Sequence, residues 1–181
     1  MKQEMDKTHD IKLIDKLDKK ELNELIGKCW MTHDAMWFYH CYQEFGIEKA
    51  NRINKAAIRS LAQIESNRFK KVLKVEKIET LAELKYFLSN SFELIVPDFM
   101  NFIFNFPEEN VFHWEFNKRK CFAYNGMKNI GVIDQYECGV IYRIERWLKN
   151  LNIKYDVTPK IDKCVVPQKG SCSGDFRFYL K

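Results

Sequence analysis

Apolar residues recur at helical spacing through most of the first half of the chain. From Ile11 to Gly27, Leu13, Ile14, Leu17, Leu22, Leu25 and Ile26 follow that spacing. Asp18 reads as an N-cap, and Glu21 three residues later completes a capping-box pattern. Gly27 is expected to end this helix. Thr32 or Asp34 caps a second helix, which runs to Glu44 and stops at Gly46. Residues 47–73 carry the longest helical pattern, with Ile53, Ala57, Leu61 and Ile64 as one stripe and Lys49, Arg52, Arg59 and Lys70 opposite. A fourth helix covers roughly 79–96, with Leu84, Phe87, Leu88 and Phe92 turned inward and Pro97 as its stop.

The period then changes from 3.6 to 2. Phe102, Phe104 and Phe106 alternate, with Asn101 and Asn105 among the residues beside them, Pro107–Asn110 forms a turn, and Phe112, Trp114 and Phe116 alternate against His113 and Glu115. This is a β-hairpin with an aromatic face. Two helices follow, over 120–129 and 137–150, with Gly131 between them and Asp134 as a cap for the second. Residues 153–166 read as a strand, Pro167–Gly170 as a turn, and the last stretch as a strand holding Phe176, Phe178 and Leu180. The expected fold class is α+β: an N-terminal helical bundle over 1–97, then a four-stranded antiparallel sheet over 98–181. That second part runs strand–strand–helix–helix–strand–strand and is covered by helices, and the two parts form one compact unit. Residues 1–10 are expected to fray.

Composition narrows the classes. The chain has 181 residues, of which 7 are Gly and 4 are Pro, too few for collagen-like, linker-rich or disordered chains. The net charge is +5, and Lys118-Arg119-Lys120, the densest basic cluster, reads as a solvated turn. No nucleic-acid partner is expected. No stretch has the apolar length of a membrane span or of a leader's core, so a cytoplasmic protein with no membrane partner is expected. Aromatic residues reach 14%, which suits a large core, a lined cavity or both.

There are six cysteines. In a reducing compartment these serve as ligands, nucleophiles or small core residues rather than disulfides. Cys121 and Cys138 each open a helix, where a thiolate is favoured. Cys164 ends a strand, and Cys172 lies across a turn from it. Three or four converging thiolates suit tetrahedral zinc or, alternatively, an iron–sulfur cluster. Against this, all four could simply be buried apolar side chains. Cys29 and Cys41 stay with the helical half.

Cys138, Cys164 and Cys172, with 25 and then 7 residues between them, resemble the cysteine spacing of the 4-vinyl-reductase-type domain. That domain forms small-molecule sensor modules, and its sensor members hold zinc with three Cys and one Glu. The resemblance implies zinc ligation by Cys138, Cys164 and Cys172. The family's Glu position is Ile161 here, so the fourth ligand falls to Cys121, with Glu137, Asp162 or water as alternatives. A second resemblance spans most of the chain. His33-Asp34-x-x-Trp37-Phe38, Phe45-Gly46-x-Glu48-x-Ala50 and the ending Cys164 to Cys172 with Asp175-Phe176-Arg177-Phe178 are similar to a prokaryotic family of unknown function. That family is related in pattern to proteins labelled L-2-amino-thiazoline-4-carboxylic acid hydrolases, which implies a hydrolase of a small cyclic or amide substrate.

The aromatic second helix offers a different site. His33, Trp37, His40 and Glu44 lie on roughly one face. His33 and His40 are about 10 Å apart along the axis, too far for one ion to take both. A buried aromatic helix explains the pattern without a ligand. A pocket explains it with Trp37, Phe38 and Tyr42 as walls and His33, Asp34 and His40 as polar handles. Asn54, Glu65 and Arg68 on the long helix could contribute, or Glu65 and Arg68 could pair with each other. A Cys41–His113 dyad is conceivable only between separate elements. The expected function is therefore a small-molecule-binding domain stabilised by a cysteine-ligated metal, zinc first. The alternatives are a metal- or cysteine-dependent hydrolase and an iron–sulfur redox module. A homodimer would cover the aromatic hairpin and the sheet edges.

Overall fold

The computed structural model describes residues 12–117 and 119–180. The expected fraying of residues 1–10, the start of the first helical pattern at Ile11, and Lys118 of the basic cluster lie outside them.

A short 3-10 turn, Leu13–Asp15, leads into α1 (Lys19–Leu73). Asp18 caps α1 as its side chain accepts from the Glu21 N–H at 2.8 Å, and Glu21 returns the bond to the Asp18 N–H at 2.9 Å. Gly46, at φ 77° and ψ 169°, breaks α1 into 19–45 and 47–73. That backbone conformation favours a residue without a Cβ. Gly27, by contrast, does not end a helix. It sits inside the first half of α1 because Pro97 lies against it: a Cβ there would meet the Pro97 ring at 2.8 Å. The first two expected helices are thus one.

α2 (Leu81–Ile95) is capped by Thr80 and Glu83 in a second capping box and ends at Val96, before Pro97. The hairpin β1 (Phe102–Glu108) and β2 (Val111–Phe116) pairs Phe102 with Phe116 and Phe104 with Trp114. α3 (Phe122–Asn129) and α4 (Gly139–Asn150) follow, with Cys121 and Cys138 at their N-cap positions. Asp134 therefore does not cap α4. β3 (Lys154–Thr158) is shorter than expected: it stops before Pro159, which has no N–H to give a ladder. Cys164 consequently lies in a connection rather than a strand. α5 (Val166–Lys169) and β4 (Cys172–Tyr179) complete the chain.

The fold is α+β, as the periodicities imply. The sheet is antiparallel in the order β1-β2-β4-β3. Phe112, Trp114, Phe176 and Phe178 fill one face and are almost fully buried. α2 and α4 cover that face. Phe92 of α2 stacks on Phe112 with ring centroids 5.5 Å apart, and Trp147 of α4 lies 5.4 Å from Phe92. The indole of Trp114 fits because residue 174 is glycine; a Cβ there would meet it at 2.4 Å. Phe69 of the second half of α1 meets Trp147 edge-on at 5.5 Å. A smaller cluster, of Phe38, Cys41, Ala50, Met127, Val132 and Tyr136, joins the first half of α1 to the α3–α4 region. Among the described residues, no helix is long and apolar enough to cross a membrane.

Candidate functional site

The helices leave a gap between them that is partly open to solvent. This cavity, about 510 Å³, is walled by α1, α2, α3, α4 and the edge of the hairpin. That size suits a small organic ligand. Its lining is mostly apolar, with Trp30, Phe38, Phe99, Phe122 and Met127 among the larger side chains. The polar groups reaching it include Asp34, Asn54, Tyr136 and Arg143.

Arg143 is held rigidly. Its Nε donates to Glu65 Oε2 at 2.9 Å and its Nη2 donates to Glu65 Oε1, a two-pronged pair. The Trp147 indole N–H adds a third bond to Glu65, at 3.1 Å. Trp30 and Trp147 flank the guanidinium, with centroids 5.0 and 5.7 Å from it. Glu65 is therefore partnered across helices, not with Arg68 on its own helix as the spacing allowed. Tyr136 accepts the Gly139 N–H at 3.1 Å, and burial raises its phenol above the ordinary range. Buried Asn51 ties the loop before α4 to α1: its amide donates to the Gln135 carbonyl at 2.8 Å, and its carbonyl accepts the Glu137 N–H at 3.2 Å.

Of the side chains expected to form a ligand site, Asp34, Phe38 and Asn54 line the cavity. His33, Trp37 and His40 lie on the outward side of α1, with Trp37 57% exposed, and Tyr42 packs against the smaller cluster. The inward face runs through Trp30, Asp34 and Phe38, one turn apart. Trp30 is the aromatic wall residue of this face that was missed, and its place four residues before Asp34, matching Phe38 four residues after, was the signal. Asp34 remains exposed to solvent, but partial desolvation by the wall raises its carboxyl above the ordinary value, and Arg143 and His33 pull it back. His113 gives no dyad with Cys41. Its Nδ1 meets Asp175 at 2.7 Å across β2 and β4, whereas Cys41 is buried in the smaller cluster.

The four cysteines of the α+β part form a second candidate site. β2–β4 pairing sets Phe116 against Cys172, and the chain reaches Cys121 soon after. A bridge between Glu137 and Lys163, with the Cys138 N–H donating to the Asp162 carbonyl at 2.9 Å, brings Cys138 towards Cys164. The thiols are near enough to disfavour one another's ionisation: Cys121 feels Cys172 and Cys164, and Cys138 feels Cys121 and Cys172. Burial is the larger effect and pushes Cys121 and Cys138 up to about 12. N–H groups oppose it at each sulfur: Tyr124 and Ala123 at Cys121, Ile141 and Val140 at Cys138, and Val166 at Cys164. The Trp114 indole N–H, buried without a hydrogen bond of ordinary geometry, does the same at Cys172 in a looser contact. Among the described residues, however, no three His, Cys, Asp or Glu side chains are gathered closely enough to hold a metal ion.

The chain belongs to the family of unknown function DUF6125, which it matches over residues 13–145. The match takes in every cavity-lining residue except Trp147, and it stops before Cys164 and Cys172. No curated protein and no solved structure matches the chain.

Proposed function

We propose that this member of a family of unknown function is a small-molecule-binding domain, and that the cavity under the first half of α1 is its ligand site. One observation carries the reading: a mostly apolar cavity of about 510 Å³ with a few polar groups held in place on its wall. A void of that size in a packing-driven core forfeits contacts that a ligand would restore. The experiment is a fluorescence titration with 1-decanol, read through Trp30 on the wall. Saturable one-to-one binding is expected, and Ala35→Phe, which puts a ring into the cavity, should weaken it at least tenfold without lowering Tm. Equal binding by that variant would refute the assignment.

A cysteine-ligated metal is the second element of the proposal, favoured by the N–H groups directed at the sulfurs of Cys121, Cys138, Cys164 and Cys172. Such donors stabilise thiolate over thiol, the form a metal takes. The reading requires the four sulfurs to draw inward around the ion. Zinc is the first choice and an iron–sulfur cluster the alternative. Elemental analysis of anaerobically purified protein, with its visible spectrum, tests it. One zinc per chain and no colour supports zinc; no metal at all removes the site. A cysteine-dependent hydrolase is less well supported, because thiols raised to about 12 stay protonated at neutral pH.

A further inference from the structure

We propose that the cavity selects a lipophilic amine, an apolar chain or ring system ending in one cationic nitrogen, and that Asp34 receives that nitrogen. The inference rests on the reading of the cavity as a ligand site and adds the chemical class of the ligand.

The charges on the wall decide it. Lys28 stands at the cavity with Glu24 3.4 Å away on its own helix. Arg143 has both of its pairing nitrogens on Glu65. Each wall cation therefore has its own carboxylate. Asp34 does not: no hydrogen bond or ion pair reaches it among the described residues, and the Arg143 charge acts on it only at longer range. Asp34, which solvent also reaches, is thus the one unpartnered acid on a mostly apolar wall, and an incoming cation would give it a partner. A carboxylate ligand would meet Asp34 and Glu65 with its charge uncompensated, since Arg143 is already neutralised.

The flanking residues fit the same ligand. Trp30 and Phe38 stand one turn before and one turn after Asp34 and line the cavity with it. A cation at Asp34 lies between two rings, and ring faces attract cations most strongly where water is excluded. The remaining wall offers rings, methionines and aliphatic side chains for the apolar part. At close-packed density the volume takes roughly fifteen to twenty non-hydrogen atoms.

Isothermal titration of the full chain with three matched probes, decylamine, 1-decanol and decanoate, tests the inference at neutral pH and below their aggregation limits. The wild-type protein should bind decylamine at least tenfold more tightly than decanol, and decanoate most weakly. In Asp34→Asn the amine and the alcohol should become equal within about twofold, with decanol affinity unchanged, which also reports an intact cavity. Equal affinities in the wild type, preference for decanoate, or an amine advantage that survives in Asp34→Asn would overturn the amine assignment while leaving the cavity reading in place. Failure of all three probes to bind would overturn both.

Discussion

The two halves of α1 have similar amphipathic patterns and different surroundings. Residues 47–73 press on α4 and the sheet-side core, burying Ala62, Glu65, Ser66 and Phe69. Residues 19–45 bury only Phe38 and Cys41 and leave Leu25, Ile26, Met36, Trp37 and Phe45 close to half exposed or more. An apolar stripe at period 3.6 states that a helix has an inner face. It does not state whether that face meets a packed core or an open volume. Here the first half faces the cavity at Trp30, Asp34 and Phe38, the second half lines it from Asn54 to Leu61 and meets the packed core from Ala62 onward, and Gly46 breaks the helix between the two halves.

Stability should divide along that line. The largest expected loss is at Glu65, whose removal leaves the Arg143 charge and the Trp147 N–H without partners. Glu65→Ala should cost about 3–5 kcal/mol in urea denaturation. A loss under 1 kcal/mol would mean that the second half of α1 is held far less tightly than its contacts indicate.

Alkaline pH probes the main core that residues 62–73 pack against. Cys121 and Cys138 ionise near 9.0 without the fold's influence and about 12 within it, so the folded chain retains more protons between those values. Metal-free protein should therefore be fully supported by these thiols below pH 9. It should lose stability as pH rises through that window, on the order of 2–3 kcal/mol per pH unit for the two together. A metal held by thiolates would remove this alkaline loss and replace it with a loss at acid pH, where protons displace the ion. Comparing denaturation midpoints at several pH values distinguishes the two states.

Smaller effects belong to the open half. Asp34→Asn removes a carboxylate that burial disfavours, so the free protein should gain slightly in Tm by differential scanning calorimetry; a clear loss would mean that Asp34 has a structural partner. Trp37→Ser, on the outward face, should change stability by no more than about 0.5 kcal/mol. A larger loss that depends on protein concentration would show that a second copy of the chain covers that face.

Much of the fold was legible in the residues. Asp18 with Glu21, Gly46, Pro97 and the alternating phenylalanines each have a local reason that tertiary contacts did not override. Gly27 and the 153–166 segment misled for opposite reasons. Gly27 is glycine because Pro97 packs against it, a contact 70 residues away that no local pattern holds. The long strand reading passed over Pro159, a local signal that was present. The site was harder to read. His33, Trp37 and His40 attract notice by chemical type, but the inward face is set by what packs against the helix, and of the expected pocket residues only Asp34, Phe38 and Asn54 line the cavity. The Glu65–Arg143 pair joins residues 78 positions apart, and no spacing rule reaches that far.

The account turns on residues 19–45 being a cavity wall whose partner is a ligand. Hydrogen–deuterium exchange with and without saturating decylamine tests this most directly, because it reads both halves of α1 at once. Amides of 19–45 and of the α3 wall should slow on binding, while those of 62–73 and the sheet, already protected, stay as they are. Unchanged exchange over 19–45 with bound ligand, or slowing confined to the sheet, would contradict it.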